Sequence, residues 1–421
     1  MPYKRPSHGV KNQAEKEKEL EQNIVMVSAA RTPFGRYGGS LKEMDYYELG
    51  AIPMAEVIKR VDLEPGLVGE VFWGVGDTSV CRDVYTPVAA RQSLIGAGLP
   101  PETASVSFDK ACVSAMSAVK MGCGAIRLGE IKVAIGGGAT SFSRVPLVVR
   151  DLRHSGFRRG DVTMEDPLYA LGYKDFNPVS VDTDNVAFEY GISREEQDEW
   201  AAASHRKYGE AWTAGKFRDE IMPLEIKLPR QEPYQLDIDE QYRSDASQEK
   251  LGRLKPIYGT RAITPGNAPG LNDGAAAILI MSADTADELG LEPLASIVAM
   301  TSIATKTDRM AEAPGLAMQK VLAMADISLE QVDYLEINEA FAAVPLVSLV
   351  RLCDGDKQKA QRLKSRTNVN GSAIAIGHAN TASGARIMMN LMYELRRGGG
   401  GYAMGAICGG LAQADACLIK V

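Results

Sequence analysis

FDKACVSAMSAVKMGCGAIRLGEIKVAIGGGAT, residues 108–140, places a cysteine just ahead of a run of small residues, then an apolar strand ending in a Gly-rich turn. VNGSAIAIGHANTASGARIMMNLMYELRRGGGGYAMGAICGGLAQADACLIKV, residues 369–421, repeats that order with a histidine where the first copy has its cysteine. Two copies of loop, small-residue helix, apolar strand and glycine turn predict a duplicated α/β protein. Upstream, IVMV at 24–27 reads as a strand, RTPFGRYGG as a loop, about 46–60 as a helix and 70–75 as a strand. The strands lack polar alternation, so their sheets are expected to be buried on both faces. Residues 142–271 are richer in charge, proline and aromatics, as in LPRQEPYQLDIDEQYRSD, and suit an inserted lobe lying over a site. The organisation expected is a charged extension at 1–23, a first half from 24–141 and 272–292, the lobe at 142–271, and a second half at 293–421.

The chain has 421 residues, 45% of them hydrophobic and 24% charged, which excludes disorder, collagen and coiled coil as descriptions of the whole. With 47 Lys+Arg against 54 Asp+Glu, the net charge of −7 gives no basic field for a nucleic-acid backbone. The six cysteines show no CxxC pair and no Cys/His spacing for a metal, so no metal site is expected and a reducing compartment fits. No apolar run is long enough to cross a bilayer, and the N-terminus alternates Lys and Glu where a signal peptide needs an apolar core. A cytoplasmic protein without a membrane or nucleic-acid partner is the expectation.

Cys112 sits just before a helix of small residues, where unpaired N–H groups and the macrodipole favour thiolate over thiol. A free cysteine is more commonly a small buried hydrophobe, and that reading stands beside the reactive one. Among four histidines only His378 lies in a Gly/small-residue turn opening a helix, which makes it the candidate base; a capping or packing role is the alternative. Cys408 follows an apolar strand and precedes two glycines, so its thiol can reach a cleft. Asn338 ends the strand VDYLEI, where a carboxamide either holds a carbonyl oxygen or simply forms a turn.

Taken in order and spacing, Cys112, NEAF at 338–341, Gly377-His378 and Cys408-x-Gly make the chain resemble the thiolase family across nearly all of residues 24–421. RTPFG at 31–35, DNVAFEYGISREEQDEWAAASH at 184–205 and GNAPGLNDGAAA at 266–277 resemble it too. The resemblance implies the thiolase fold, with duplicated five-layered αβαβα halves and a coenzyme-A-binding lobe. It implies a homodimer or tetramer, no permanently bound cofactor, and coenzyme A and acyl-CoA esters as what the chain binds. Cys112 would accept the acyl group as a thioester, activated by His378, and Cys408 would be the second acid/base. Asn338 and His378 would hold one oxyanion, and the backbone N–H groups of Cys112 and Gly410 another. Arg243 is a candidate for a CoA phosphate, equally readable as a solvated arginine; Pro269, Val179 and Met310 complete the implied CoA and substrate contacts.

The sequence also departs from the family. Ala379 stands where a proline is usual, followed by Asn380-Thr381 where relatives are more apolar and glycine-rich. Pro178-Val179 stand in place of the His-Met of short-chain biosynthetic relatives, Pro269 in place of a pantetheine-side serine, and Ala412 and Ala414 in place of glycines. Kept chemistry with a rewritten wall implies a degradative thiolase not specialised for acetoacetyl-CoA, with a branched, dicarboxylic or aromatic substrate such as a benzoylsuccinyl-CoA-type ester. The alternatives are a biosynthetic acetoacetyl-CoA thiolase and a non-catalytic acyl-CoA or lipid carrier. Ketosynthases need a second active-site histidine and hydroxymethylglutaryl-CoA synthases lack a second cysteine, so both fit less well. Loss of polar CoA contacts at Pro178 and Pro269 is met either by other loop residues, Arg243 among them, which is the favoured reading, or by a small zinc-ribbon/OB-fold companion subunit.

Overall fold

The computed structural model describes residues 23–76, 88–149, 152–156, 159–168 and 175–421; nearly all of the charged extension expected at 1–23, and Cys81, lie outside the described residues. Strands β1 (Ile24–Arg31), β2 (Glu70–Val75), β3 (Ala104–Phe108), β4 (Val133–Thr140), β5 (Asn272–Ser282), β6 (Ala295–Ala304), β7 (Tyr334–Ile337), β8 (Tyr402–Gly409) and β9 (Gln413–Lys420) run in the order β7-β8-β9-β6-β1-β5-β4-β2-β3. This path is two copies of one pattern. From β1 outward, β5 and then β4 join antiparallel, followed by β2 and β3 in parallel. From β6 outward, β9 and then β8 join antiparallel, β7 follows in parallel, and Leu335 of β7 bridges Thr367 in parallel. The copies meet where β1 and β6 pair antiparallel, with Ile24 opposite Ile297 and Met26 opposite Ala295.

The principal helices are α1 (Tyr46–Lys59), α2 (Ala89–Gly96), α3 (Ser114–Arg127), α4 (Val179–Glu189), α5 (Arg194–Thr213), α6 (Ala313–Ala325), α7 (Ala343–Leu352) and α8 (Ser383–Gly398). α1 and α2 cover the outer face of the first half and α6 and α7 that of the second, while α3 and α8 pack on each other between the two halves of the sheet. Five layers αβαβα result, and they belong to the two halves together: each supplies an outer layer, a sheet and one middle helix. The β5 sequence shows why its polar alternation is missing. Ala276, Ile278 and Ile280 join the middle cluster with Val119 and Ile387, while Ala275, Ala277, Leu279 and Met281 join the outer cluster with Leu49 and Val57. Both faces are apolar, and each fully buried large side chain contributes about 1.5–3 kcal/mol.

Glycine sets how closely the middle layer approaches. A Cβ at Gly136 of β4 would lie 2.8 Å from the Val119 Cα of α3, and one at Gly384 of α8 would lie 2.5 Å from the Met116 nitrogen of α3. The N-terminal ends of the two middle helices are therefore pressed together, and residues just ahead of them meet.

The lobe is tied to the first half through charge. Arg31, at the end of β1 and fully buried, donates from Nε to Glu220 at 2.9 Å and from Nη1 and Nη2 to the two Asp239 oxygens at 2.7 and 2.9 Å. Tyr208 of α5 and the Phe34 backbone N–H also donate to Asp239, at 3.1 and 2.7 Å. Burial opposes the arginine's charge, but Asp239 and Glu220 more than offset it and hold it firmly protonated. Asp239→Ala leaves that cation without its bidentate partner, which is expected to cost about 3–5 kcal/mol and to lower the melting temperature by several degrees. An unchanged melting curve would show that the ion pair does not hold the lobe.

Candidate active site

Each chemical side chain stands at the end of an element that enters from a different part of the chain. Cys112 lies in the 3₁₀ turn Ala111–Val113 that leads into α3, and Ala111 ahead of it has φ +51°, a left-handed conformation seldom adopted by a residue with a Cβ. Ser114 holds the turn shut, accepting from the Lys110 N–H at 2.9 Å and donating to the Ala111 carbonyl at 2.7 Å. His378 follows Gly377, whose φ is +107° and whose Cβ position is closed off by Asn272. The same Asn272, from the GLNDG turn of the first half, accepts from the His378 N–H at 2.9 Å and donates to the Gly35 carbonyl at 2.9 Å.

These anchors bring His378 Nε2 to 3.1 Å from Cys112 Sγ. On the other side of the ring, Nδ1 lies 2.7 Å from Ser383 Oγ, and that hydroxyl donates to the Ala379 carbonyl at 3.1 Å. A serine has one proton to give, so with it committed to Ala379 the Nδ1–H must donate to the serine, leaving Nε2 with a free lone pair aimed at the thiol. Ser383 is thus the orienting third member of a Cys–His pair. No reading of the sequence singled it out, although its place five residues after the histidine in a small-residue helix start was visible.

Cys112, His378, Cys408 and Gly410 line one cleft of about 1370 Å³, together with Arg243, Pro269, Val179 and Met310. Cys408 ends β8, fully buried, where burial pushes its thiol up to about 12. The chain beyond it is strained, since Leu411 and Ala412 have φ +55° and +58° in succession. Asn338 differs from the other expected residues: it is fully buried and is not part of the cleft wall. Its Oδ1 accepts from Arg386 at 3.3 Å while its Nδ2 has no protein partner. A bridging water is what such a donor can hold between itself and the cleft.

Its neighbour Glu339 does more structural work than the sequence suggested. That buried carboxylate accepts from Trp200 Nε1 at 2.8 Å, Ser204 Oγ at 2.7 Å, Asn368 Nδ2 at 3.0 Å and the Ile374 N–H at 3.0 Å. It gathers α5 of the lobe, the 368–374 segment and the NEAF turn at one point. At the lobe end of the cleft, Arg243 and Arg36 both line the wall. They lie near enough to His205 that, after burial, their charges help bring its imidazole down to about 4. Arg36 was not among the residues read from sequence; it sits five residues after Arg31 without any spacing that marks it.

Desolvation works against the helix-end argument for a preformed thiolate. It pushes the Cys112 thiol well up, with Cys408 adding to the effect, and brings His378 from 6.5 to about 4. Both shifts favour a neutral thiol beside a neutral imidazole. A histidine depressed in the fold is protonated first in the unfolded chain, and stability is lost as pH falls from about 6.5 toward 4. For the same reason the base stays competent well below neutrality. The rate of Cys112 modification by an acyl donor is expected to hold level from pH 8 to 5 and to fall only near 4; a limb centred at 6.5 would contradict this.

Residues 24–284 match the family profile described as thiolase, N-terminal domain, and residues 291–421 the one described as thiolase, C-terminal domain. The probable acetyl-CoA acetyltransferase of Mycobacterium leprae is 37% identical over 402 residues, covering 94% of this chain and 98% of the relative. The acetyl-CoA acetyltransferase of Cupriavidus necator is 37% identical over 398 residues, covering 93% and 98%. Human mitochondrial 3-ketoacyl-CoA thiolase superposes with a TM-score of 0.88 at 34% identity, covering 95% of this chain and 99% of that one. The same human enzyme in complex with CoA superposes with a TM-score of 0.87.

Proposed function

The chain belongs to the thiolase family and is an acyltransferase, and from that premise we propose that it cleaves a 3-oxoacyl-CoA with coenzyme A, in the degradative direction, on an acyl group other than acetoacetyl. The observation that carries the reading is the 3.1 Å contact between His378 Nε2 and Cys112 Sγ in a cleft that also holds Cys408.

The chemistry runs through both thiols. His378 takes the Cys112 proton as Sγ adds to the 3-oxo carbon. The bond between the second and third carbons breaks, the electron pair leaves as the enolate of acetyl-CoA, and Cys408 gives that carbon a proton. Incoming coenzyme A then loses its thiol proton to the Cys408 thiolate and attacks the thioester on Cys112. The Cys112 sulfur departs and recovers its proton from His378, so both residues end as they began. The oxyanion of the first addition is held by the N–H groups of Cys112 and Gly410, and the enolate oxygen by His378 with the water that Asn338 Nδ2 supports.

Arg243 and Arg36 line the cleft together with Pro269, which supports assigning the arginines to the CoA phosphates and Pro269 to the pantetheine arm. Support for a larger acyl group comes from the wall. Val179 and Asn380, two of the positions where the sequence departs from the short-chain family pattern, line the cleft. Assembly as a homodimer or tetramer, a cytoplasmic location and a companion subunit belong to the same proposal.

Two measurements test it. Mixing with an acyl-CoA is expected to raise the intact mass by one acyl group at Cys112, lost in Cys112→Ser and kept in Cys408→Ser, while Cys408→Ser lowers thiolysis about 100-fold or more. Equal loss of both half-reactions in Cys408→Ser would remove its assigned role. In a panel of 3-oxoacyl-CoA esters, acetoacetyl-CoA is expected to be cleaved about 10-fold or more less efficiently than the best bulkier ester. If it ranks first, the degradative reading gives way to the short-chain biosynthetic one.

A further inference from the structure

Lys110 stands two residues ahead of Cys112, and it is held at both ends. Its backbone N–H donates to Ser114 Oγ at 2.9 Å, the same hydroxyl that closes the Cys112 turn on the Ala111 carbonyl. Its ammonium reaches across to the second half of the chain. Nζ donates to Asp415 Oδ1 of β9 at 2.7 Å and to Ser302 Oγ of β6 at 3.2 Å, and on the way to Ser117 Oγ of α3 at 2.9 Å. The Asp415 side chain is 1% exposed, and its second oxygen accepts from Ser117. In the pairing of β8 with β9, Asp415 lies opposite Ile407 and Ala414 opposite Cys408. One side chain thus joins the turn that bears Cys112 to the strand pair that ends in Cys408.

The two turns also meet through the backbone. A Cβ at Gly409 would lie 3.2 Å from the Lys110 carbonyl oxygen and 3.1 Å from a Val113 methyl, so the residue after Cys408 sits against the segment that carries Cys112. The thiols are close enough for charge on Cys408 to oppose charge on Cys112. Neutralising Asp415 does not by itself call for Lys110. Lys120 of α3 donates to the same Ser302 Oγ at 3.0 Å, and Lys320 of α6 donates to the Ser302 carbonyl at 3.2 Å. Burial holds the Lys120 ammonium below the usual lysine range, Lys110 and Lys320 add to that, and Asp415 works the other way. Three ammonium groups therefore gather near one carboxylate. What Lys110 has and Lys120 lacks is its place in the Cys112 turn, where Ala111 is kept at φ +51°. A conformation of that kind persists only where its surroundings hold it.

Resting on the thiolase reading above, we propose that Lys110 and Asp415 are a positioning pair for the reaction: by tying the Cys112 turn to the strand beside Cys408, they set the separation of the two thiols. Carbon–carbon cleavage needs Cys112 on the 3-oxo carbon while the Cys408 proton reaches the neighbouring carbon, so the two sulfurs must serve adjacent atoms of one substrate. Neither Lys110 nor Asp415 is part of the cleft wall, and the pair acts through the turn it holds.

The test compares the full chain with Lys110→Met/Asp415→Asn, which removes the ion pair without stranding a buried charge, and with Lys110→Arg, which keeps a cation on the turn. In thiolysis of the best 3-oxoacyl-CoA of the panel, the double variant is expected to lose about 10-fold or more in kcat. Its KM for coenzyme A is expected to stay within about 2-fold of the wild type, because the CoA contacts are assigned to the lobe. Lys110→Arg is expected to recover most of the loss. Wild-type kcat in the double variant overturns the positioning role, as does a change carried by KM instead of kcat. A loss of kcat that only follows the folded fraction measured by circular dichroism, or one that Lys110→Arg shares in full, overturns it too, since a pair that merely stabilises the fold gives those results. A wild type that takes no acyl group on Cys112 and cleaves no ester overturns the thiolase reading and this inference with it.

Discussion

The contact between His378 and Cys112 depends on how closely two helix ends can approach. α3 and α8 come from different halves of the chain, and each carries its reacting residue in the turn just ahead of its first residue. Gly384 against Met116 and Gly136 against Val119 leave no room for a side chain between the middle helices and their surroundings. Any larger residue at these positions would widen the layer, and a hydrogen bond of 3.1 Å tolerates little widening. The packing of the middle layer is in this sense part of the candidate site's geometry, and its small residues set distance as well as burial.

Around that layer the protein invests in buried polar groups that are almost fully paired. Arg31 joins the first half to the lobe through Asp239 and Glu220, and Glu339 joins the lobe to the second half through four donors. Such networks contribute little net stability relative to an apolar core, but they are unforgiving of displacement, because moving any member leaves a buried charge or donor unmet. They fix the lobe over the cleft. Among the described residues, buried side-chain atoms without a protein partner are spread over the fold, at Ser28, Trp73, Thr183 and Gln197 as well as at Asn338 and Asn380.

Burial also decides the electrostatics. The helix N-terminus beside Cys112 offers partial positive charge, while desolvation works against both thiolate and imidazolium. Ser383 holds the imidazole proton on the nitrogen away from the thiol. The strained backbone at Ala111 and at Leu411–Ala412 brackets the two thiols, in keeping with turns shaped by the site and not by local preference.

The sequence by itself determined the duplication and the strands buried on both faces, and its motif order picked out Cys112, His378 and Cys408 as candidates, because hydrophobic period and motif order are local properties of the chain. It also marked Asn380-Thr381 as unusual. What it could not specify was which residues meet across long separations: Ser383 behind the imidazole, Asn272 beneath the His378 turn, Arg36 beside Arg243, and Glu339 as a junction of three segments. Nor could it show that the five layers are shared by the two halves, since that follows from the β1–β6 seam and the mutual packing of α3 and α8. The helix-end argument for a thiolate is incomplete for the same reason. A dipole is legible in a segment, but the desolvation that opposes it arises only when distant segments close around the group.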